Sequence, residues 1–360
     1  MCLFHIIKER RKCMKKKLSL LICVGAILFI PTLALAVTDF YVASYGGTFE
    51  KALKEELAPI FERKFDCRIN YVLGISTETL AKVRVQKDNP QIDVTFVDDG
   101  PAILGSAEGF WANLDPKIVT NLGKLYDIAL HPNNNGVDMG VTATGLLYNT
   151  QIFKEKGFAP PASWWDVLKP EFIQRFVMPP ITNSYGLHTL IMFARLSGGG
   201  EKKIDPGFEV MKKLKKSVIS FEPQAGKMSE LFQSKEAWVG CWGSGRVYSL
   251  ADMGFPIEFV YPKEGAIALG VTLNMVKNCK NPRLAQEFIN FMLDEKSQEV
   301  WGKGFMLGPM NKNVKLAPEV AKRVPYGLDQ MKKLLKVDWA YINQVRPEWT
   351  ERWSKEVETR

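Results

Sequence analysis

Short apolar runs alternate with amphipathic segments along the first half of the chain. The pattern predicts strands at 40–43, 68–73 and 93–97, and helices from residue 48 and from residue 76 or 77. Thr48 is the expected N-cap of the first helix, and Pro59 is expected to kink it. The order strand, helix, strand, helix, strand is typical of a parallel sheet with crossover helices.

The alternation continues through the middle of the chain and then gives way to helix. Strands are predicted at 176–178, 238–242, 257–261 and 266–275, and helices from residues 184, 205, 246, 282 and 295. Either Asn183 or Ser184 is expected to cap the helix that follows it. No linker rich in Pro, Gly and Ser separates the halves, which indicates lobes joined by strands.

The first 36 residues combine a basic start, an apolar run and the small residues Ala34-Leu35-Ala36. This order predicts a secretory signal that is cleaved after Ala36. The alternative, a retained membrane anchor, is disfavoured by Pro31 and by the short run, because a spanning helix needs about 20 apolar residues. Cys23 is not preceded by the small residue of a lipoprotein cleavage site, so we expect a protein without a lipid anchor.

Removing the signal changes the electrostatic picture. The whole chain has a net charge of +9, but residues 1–36 hold seven Lys and Arg against one Glu, and the remainder is only +3. A nucleic-acid partner is therefore not expected. The remaining cysteines, Cys67, Cys241 and Cys279, show no short spacing, which predicts buried thiols without a disulfide framework or a zinc site.

Six motifs follow one another along the chain after the signal. They occupy residues 44–48, 92–100, 145–149, 163–168, 260–265 and 285–291. In this order the chain resembles the periplasmic solute-binding proteins of ABC importers. It is most similar to the branch that holds spermidine/putrescine-binding, thiamine-binding and ferric-binding proteins. The remaining length of about 324 residues also exceeds one ordinary core and favours two domains.

The resemblance implies an α/β protein with the two-lobed type II fold of periplasmic binding proteins, whose ligand cleft lies between lobes joined by crossing strands. The crossings are expected near 140–147 and 265–273. Residues 1–36 would be the signal, 37–141 with 268–340 lobe 1, 142–267 lobe 2, and 341–360 a helical tail on lobe 2. The resemblance also implies a periplasmic monomer that delivers a small molecule to permease subunits with their ATPase, without a cofactor.

Candidate ligand-binding residues lie where strands end and helices begin, because ligands of open α/β sheets bind beyond the carboxyl ends of the strands. They are Ser44, Tyr45, Gly46, Gly47, Thr48, Asp98, Asp99, Thr144, Asn183, Ser184, Tyr185, Trp242, Ser244, Arg246 and Thr272. Backbone N–H groups at 46–48 suit an anion, although a plain tight turn explains the same residues equally well.

Opposite charges among these candidates point to a ligand with two charges. Of Asp98 and Asp99, one is expected to hold a ligand ammonium and the other to cap the next helix. The fork of Arg246 suits a carboxylate or phosphate, or else a salt bridge across the cleft. A small zwitterion fits both charges, and a polyamine-like ligand is the family default.

Departures from the family patterns limit the ligand. Polyamine-binding members carry Trp-x-Asp-Ser on the return strand, whereas this chain has Leu269-Gly270-Val271-Thr272 and lacks that acid. The adjacent tyrosines of ferric-binding members are also missing from this sequence. Outside the signal the only histidines are His131 and His188, so a metal site is not expected.

Two other function classes use the same residues. A secreted hydrolase or lyase would need Asp98 and Asp99 as acid and base, but adjacent side chains diverge and rarely form a facing pair. No G-x-S-x-G or H-E-x-x-H motif accompanies them, so catalysis is not expected. A ligand-sensing module that docks on a chemoreceptor or kinase would share the fold and the cleft.

Overall fold

One sheet of ten strands runs through residues 37–358, which are the residues that the computed structural model describes. The signal predicted for residues 1–36 lies outside them. The strands are β1 (Thr38–Ser44), β2 (Cys67–Leu73), β3 (Val94–Asp98), β4 (Val137–Asn149), β5 (Phe176–Met178), β6 (Val218–Phe221), β7 (Val239–Gly243), β8 (Ile257–Val260), β9 (Ile267–Met275) and β10 (Gly308–Pro309).

The strand order is β2-β1-β3-β9-β4-β7-β5-β6, and β8 and β10 also pair with β4. β1 runs parallel to β2 and β3, and β5 runs parallel to β6 and β7. Every pair that involves β4 or β9 is antiparallel. The sheet is therefore mixed, and the prediction of a parallel sheet holds only for the two groups of strands at its ends.

Strands β4 and β9 connect these two groups. β4 has 13 residues, of which Val137–Thr144 pair with β9 and Thr144–Tyr148 pair with β7. One continuous strand thus belongs to both halves of the sheet. The crossings expected near 140–147 and 265–273 lie on this pair of strands.

Fourteen α-helical segments cover the sheet within the described residues. They are α1 (Thr48–Ala52), α2 (Ala58–Phe65), α3 (Ser76–Val85), α4 (Asp99–Ala107), α5 (Thr150–Lys156), α6 (Ser184–Leu196), α7 (Asp205–Leu214), α8 (Ala225–Gln233), α9 (Ser244–Asp252), α10 (Pro282–Met292), α11 (Glu295–Gly304), α12 (Pro318–Ala321), α13 (Leu328–Lys333) and α14 (Trp339–Trp353). A π-helical turn at Leu53–Leu57 separates α1 from α2, next to Pro59.

The cap of α1 differs from the prediction. Gly47 precedes the helix with φ 71° and ψ −140°, a conformation that glycine adopts without a steric penalty. Thr48 is already the first helical residue, and its hydroxyl is buried without a partner in the described structure. Thr48 as N-cap was therefore wrong, because the turn needs the freedom of a glycine one position earlier.

The start of α6 follows the prediction. The Asn183 side chain accepts a hydrogen bond from the Tyr185 backbone N–H at 3.0 Å, so Asn183 is the cap. A Cβ on Gly186 would lie 2.2 Å from the carbonyl oxygen of Pro180. The first turn of α6 therefore packs directly against the preceding backbone, which fixes the direction of the side chains at its N-terminus.

Two hydrophobic clusters form the core. The first surrounds β1, β3 and β9, and the second gathers buried residues between Leu146 and Ile267 with Trp349 and Trp353 from the end of the chain. α14 also reaches the N-terminus of α4, where the Asn343 amide donates to the Gly100 carbonyl at 3.0 Å. The C-terminal helix thus contacts both regions, and the predicted domain boundaries remain a prediction.

Cys67, Cys241 and Cys279 are buried free thiols. Burial raises the pKa of Cys67 to about 11 and that of Cys279 to about 12, and it raises the pKa of Cys241 further. All three are therefore protonated at neutral pH. Within residues 37–358 no helix has both the length and the hydrophobicity needed to span a bilayer.

Candidate ligand-binding site

A cavity of about 400 Å³ opens at the carboxyl ends of β1 and β3, and we call it the main cavity. The N-termini of α3, α6 and α9 point toward it. Its lining comprises residues 45–47, 50, 73–76, 78, 98, 182–185, 223–226, 242, 246, 269, 271 and 305. The structure therefore brings nine predicted residues together, namely Tyr45, Gly46, Gly47, Asp98, Asn183, Ser184, Tyr185, Trp242 and Arg246.

Asp98 supplies a buried negative charge, with 8% of the residue exposed. The Tyr45 hydroxyl donates to its Oδ1 at 2.7 Å, and the Ser184 hydroxyl donates to its Oδ2 at 2.5 Å. Among the described residues no Lys or Arg lies within ion-pair distance of it, although the charges of Arg246 and Arg346 act on it from farther away. A buried carboxylate without a directly paired cation is costly, which leaves room for a positively charged ligand group.

Arg246 supplies the opposite charge and is 7% exposed. Its Nη1 donates to the Gly46 carbonyl at 2.7 Å, and its guanidinium lies 5.0 Å from the Phe305 ring centroid. No carboxylate of the described chain pairs with it. Burial lowers the pKa of Arg246, and the neighbouring Tyr185 offsets part of that effect. A carboxylate or phosphate would complete this site.

Both tyrosines of the cavity are neutral: the Tyr45 hydroxyl donates to Asp98, whereas the Tyr185 hydroxyl accepts from the Arg246 guanidinium. Burial and the nearby Asp98 charge raise the pKa of Tyr45 well above its ordinary value, and burial raises the pKa of Tyr185 as well. The Tyr185 ring packs on bare backbone, since a Cβ on Gly243 would lie 2.3 Å from its hydroxyl oxygen. Trp242, with 2% exposure, adds an aromatic wall.

The return strand contributes an apolar wall. Leu269 and Val271 of β9 line the main cavity, and Val271 pairs with Asp98 across β3 and β9. The acid that polyamine-binding members carry on this strand is therefore absent from the position that faces the cavity.

Five lining residues have chemistry that the sequence pattern did not single out: Glu50, Ser76, Glu78, Gln224 and Phe305. Ser76 was expected to begin a helix, and its hydroxyl accepts a hydrogen bond from the Asp98 backbone N–H at 3.0 Å. The Glu78 carboxylate accepts a hydrogen bond from the Ile75 N–H at 3.1 Å. The usual capping motif has Ser or Thr three residues before the Glu, whereas here Ile75 occupies that N-cap position, so the motif does not identify Glu78. Phe305 follows α11 in a segment without a sequence signal.

Three predicted residues near the first strand and helix do not line the main cavity. Ser44 is the last residue of β1 and is fully buried, because it points to the face opposite Tyr45. The hydroxyl of Thr48 is buried within α1. Asp99 begins α4 and accepts from the Gly100 N–H at 3.0 Å, and its carboxyl lines a different cavity.

Three predicted residues, on β4, α9 and β9, form hydrogen bonds in the protein interior and do not line the main cavity. The Thr144 hydroxyl shares a 2.8 Å hydrogen bond with Nδ1 of His188. The Ser244 hydroxyl bonds with the Thr142 hydroxyl at 2.8 Å. The Thr272 hydroxyl donates to the Val97 carbonyl at 2.9 Å. These side chains satisfy buried polar groups behind the cavity wall.

His131 and His188 each contact another polar side chain of the fold. Burial, together with the charges of Arg346 and Arg195, lowers the pKa of His188 to about 3, so its imidazole is neutral. His131 pairs with Asp138 at 3.0 Å. In the part of the chain that the structure describes, no group of three His, Cys, Asp or Glu side chains is arranged to hold a metal.

Known proteins share this architecture. The spermidine/putrescine-binding periplasmic protein 1 of Haemophilus influenzae is 26% identical over 231 residues, or 62% of this chain and 63% of that relative, less than two thirds of its length. The spermidine/putrescine-binding periplasmic protein of Salmonella typhimurium is 26% identical over 275 residues, 72% of this chain and 76% of the relative.

A solved structure supports the fold. The periplasmic binding protein AfuA from Actinobacillus pleuropneumoniae, with exogenous fructose-6-phosphate bound, superposes with a TM-score of 0.75 at 22% identity, covering 89% of this chain and 99% of that one. The expected two-lobed periplasmic-binding-protein fold is thus confirmed. The sequence model of bacterial extracellular solute-binding proteins matches residues 56–325. The chain belongs to this family of bacterial extracellular solute-binding proteins.

Proposed function

We propose that this chain is the substrate-binding component of an ABC transporter and that it captures a small zwitterion, an amino-acid-like solute with an ammonium and a carboxylate. It would work as a monomer in the periplasm and deliver the solute to permease subunits driven by an ATPase. Membership of the solute-binding family and the periplasmic relatives support this role.

One observation carries the choice of ligand. Asp98 and Arg246 face the same cavity, each is more than nine-tenths buried, and neither forms an ion pair within the described residues. Buried charges are costly unless paired. A zwitterion pairs both at once, with its ammonium at Asp98 and its carboxylate at Arg246, while Trp242 and Val271 provide apolar walls.

A polyamine is the second candidate, because Glu50 and Glu78 also line the cavity. Together with Asp98 they give three carboxylates against one guanidinium. The names of the relatives favour the same ligand class. Against it stands Arg246, whose buried charge would repel an ammonium.

Calorimetric titration with amino acids, putrescine, spermidine and thiamine separates these ligands. For a zwitterion, Arg246→Ala should weaken binding by about 2–5 kcal/mol, the effect of removing one partner of a buried charge pair. The matched control is Arg283→Ala, which removes an exposed guanidinium that pairs with Glu287.

Other outcomes would redirect the assignment. Tight polyamine binding that Arg246→Ala leaves unchanged would contradict the zwitterion and favour the polyamine. Conversion of a ligand to product would contradict a binding role. The alternative of a hydrolase that pairs Asp98 with Asp99 has little support, because the two carboxyl groups line different cavities.

A further inference from the structure

A second cavity of about 540 Å³ lies on the other face of β9. Successive residues of a strand point to opposite faces. Val271 accordingly lines the main cavity, while Gly270 lines the second one. Asp98 likewise lines the main cavity, and Asp99 lines the second one. The two cavities share a wall, but their side chains are distinct.

Two acids flank the bare backbone of Gly270 in this cavity. A Cβ built on Gly270 would lie 3.4 Å from Cβ of Asp99 and 3.5 Å from Oδ2 of Asp138. The other oxygen of Asp138 contacts Nε2 of His131 at 3.0 Å. Asp99 forms no ion pair with any described residue, so its carboxylate has no cation of its own.

A third acceptor is provided by Asn135, which lines the same cavity and is 7% exposed. Its amide nitrogen donates to the Ser106 hydroxyl at 2.8 Å, whereas its Oδ1 has no hydrogen-bond partner in the described structure. Buried carbonyl oxygens are almost always hydrogen-bonded. This unpartnered atom indicates that a donor group belongs in the cavity.

Most of the remaining lining is apolar, with Ser106, Asn133 and Lys336 as the polar exceptions. Trp339 is 6% exposed and lies against Asp99. Ile103, Ile128 and Leu130 line the cavity although 41%, 41% and 43% of them is exposed, so they form an apolar rim. An exposed apolar rim around convergent polar groups is typical of a ligand site.

We propose that the second cavity binds a small organic cation, an ammonium group carried on an apolar body. Asp99, Asp138 and the free oxygen of Asn135 would accept hydrogen bonds from the ammonium, next to the indole of Trp339, whose side chain also hydrogen-bonds to Asp99. The rim would cover the apolar part. This proposal does not rest on the ligand of the main cavity.

Proton linkage gives the site a second signature. Burial and the Asp138 charge raise the pKa of Asp99 to about 8, so much of it is protonated at neutral pH. The other acidic, basic or titratable side chains near it are Asp98, Asp138, His131 and Lys336. An ammonium next to Asp99 favours the ionised carboxylate, so binding should release a proton and tighten as pH rises from 6.5 to 8.5.

The test is calorimetric titration of the purified chain with 2-phenylethylamine, and with 2-phenylethanol as the uncharged control. The amine should bind at least tenfold more tightly than the alcohol. Ile103→Lys places a competing ammonium at the exposed rim and should weaken amine binding at least tenfold. Ile173→Lys alters an Ile that is 53% exposed elsewhere and should have no effect.

Equal binding of amine and alcohol would overturn the proposal, as would unchanged amine affinity in Ile103→Lys. Loss of amine binding in Asp98→Asn with no effect of Ile103→Lys would place the amine in the main cavity and also overturn it. If none of the tested amino acids binds in the main cavity, these results can still be interpreted, because substitutions at the rim affect the second cavity alone.

Discussion

Asp98 ends the buried strand β3 and Asp99 begins α4, so their carboxyl groups leave the backbone in different directions. Two hydroxyl groups hold Asp98 in the main cavity, and the Gly100 N–H holds Asp99 at the second one. The two adjacent acidic residues therefore line separate cavities, and a different substitution tests the role of each.

Asp98→Asn should weaken binding at the ammonium end of the main-cavity ligand by about 2–5 kcal/mol, because it leaves a buried ammonium without its counter-charge. The amide retains the size of the side chain, and its oxygen can accept from one of the two hydroxyl groups, whereas the other hydroxyl would face the NH2 group. Calorimetry measures the affinity and thermal unfolding checks the fold. Asp88→Asn, at an exposed turn, is the matched control, and equal losses in the two variants would argue against a role for Asp98.

Asp99→Asn should stabilise the protein at alkaline pH. The pKa of Asp99 is about 8 in the folded chain, above its unfolded value, so the folded state binds the extra proton and loses stability as pH rises from about 4 to 8. The amide removes this loss. Urea unfolding gives the free energy of unfolding of the variant minus that of the wild type. This difference should be larger at pH 9 than at pH 5 by more than about 1 kcal/mol. An equal difference at both pH values would contradict the shifted pKa.

The predicted residues that line the main cavity are those whose position follows from strand ends and helix starts, such as Tyr45, Ser184 and Arg246. The direction of a side chain was harder to predict. Thr144 and Thr272 lie on the crossing strands as expected, yet their hydroxyl groups satisfy interior partners. A strand that is buried on both faces has apolar residues on both, so its sequence does not show which face meets the ligand. That orientation depends on the register of the strand pairing.

At the scale of elements, β9 forms one wall of the main cavity. Its neighbours are β3 and β4. Because successive residues of a strand point to opposite faces, Val271 lines the main cavity and Gly270 lines the second one. The apolar runs predicted this strand to within one residue, 266–275 against Ile267–Met275. Its antiparallel pairing was not predicted, because it depends on the long-range return of the chain rather than on local pattern.

Val271→Asp should shift preference toward putrescine. The new acid would stand directly across from Asp98 in the β3–β9 pair, so two carboxylates would face one diamine. Like charges opposite each other destabilise a sheet, and we expect a loss of about 1–3 kcal/mol in the free energy of unfolding without ligand. Putrescine affinity should rise at least tenfold by calorimetry. Val271→Asn, which lacks the charge, should not show this gain; if it does, the effect is not electrostatic.

At the scale of the whole molecule, groups from distant parts of the chain meet directly across the main cavity. The Thr77 hydroxyl donates to the Thr182 carbonyl at 3.1 Å, and the Ser184 hydroxyl donates to Asp98. Such contacts are expected of a closed cleft. Strands β4 and β9 are the expected hinge, because they pair with each other while β9 pairs with β3 of one group and β4 pairs with β7 of the other.

Small-angle scattering should show a smaller radius of gyration once the main-cavity ligand is saturating, because closure brings the halves together. Thr77→Val removes a cross-cleft hydrogen bond without altering the cavity lining, and it should weaken ligand binding by about 0.5–1.5 kcal/mol. Thr120→Val, at an exposed position, is the control. An identical scattering profile with and without ligand would count against a hinge motion.

The buried thiols of Cys67, Cys241 and Cys279 have a practical consequence. Thiolates, not thiols, react with maleimide dyes and with oxidants, and burial keeps these three protonated. Residues 37–358 therefore present no reactive thiol on the folded surface. One cysteine introduced at an exposed position such as Ile173 could carry a fluorophore without removal of the native thiols, and the folded protein could serve as the basis of an optical sensor for its own solute.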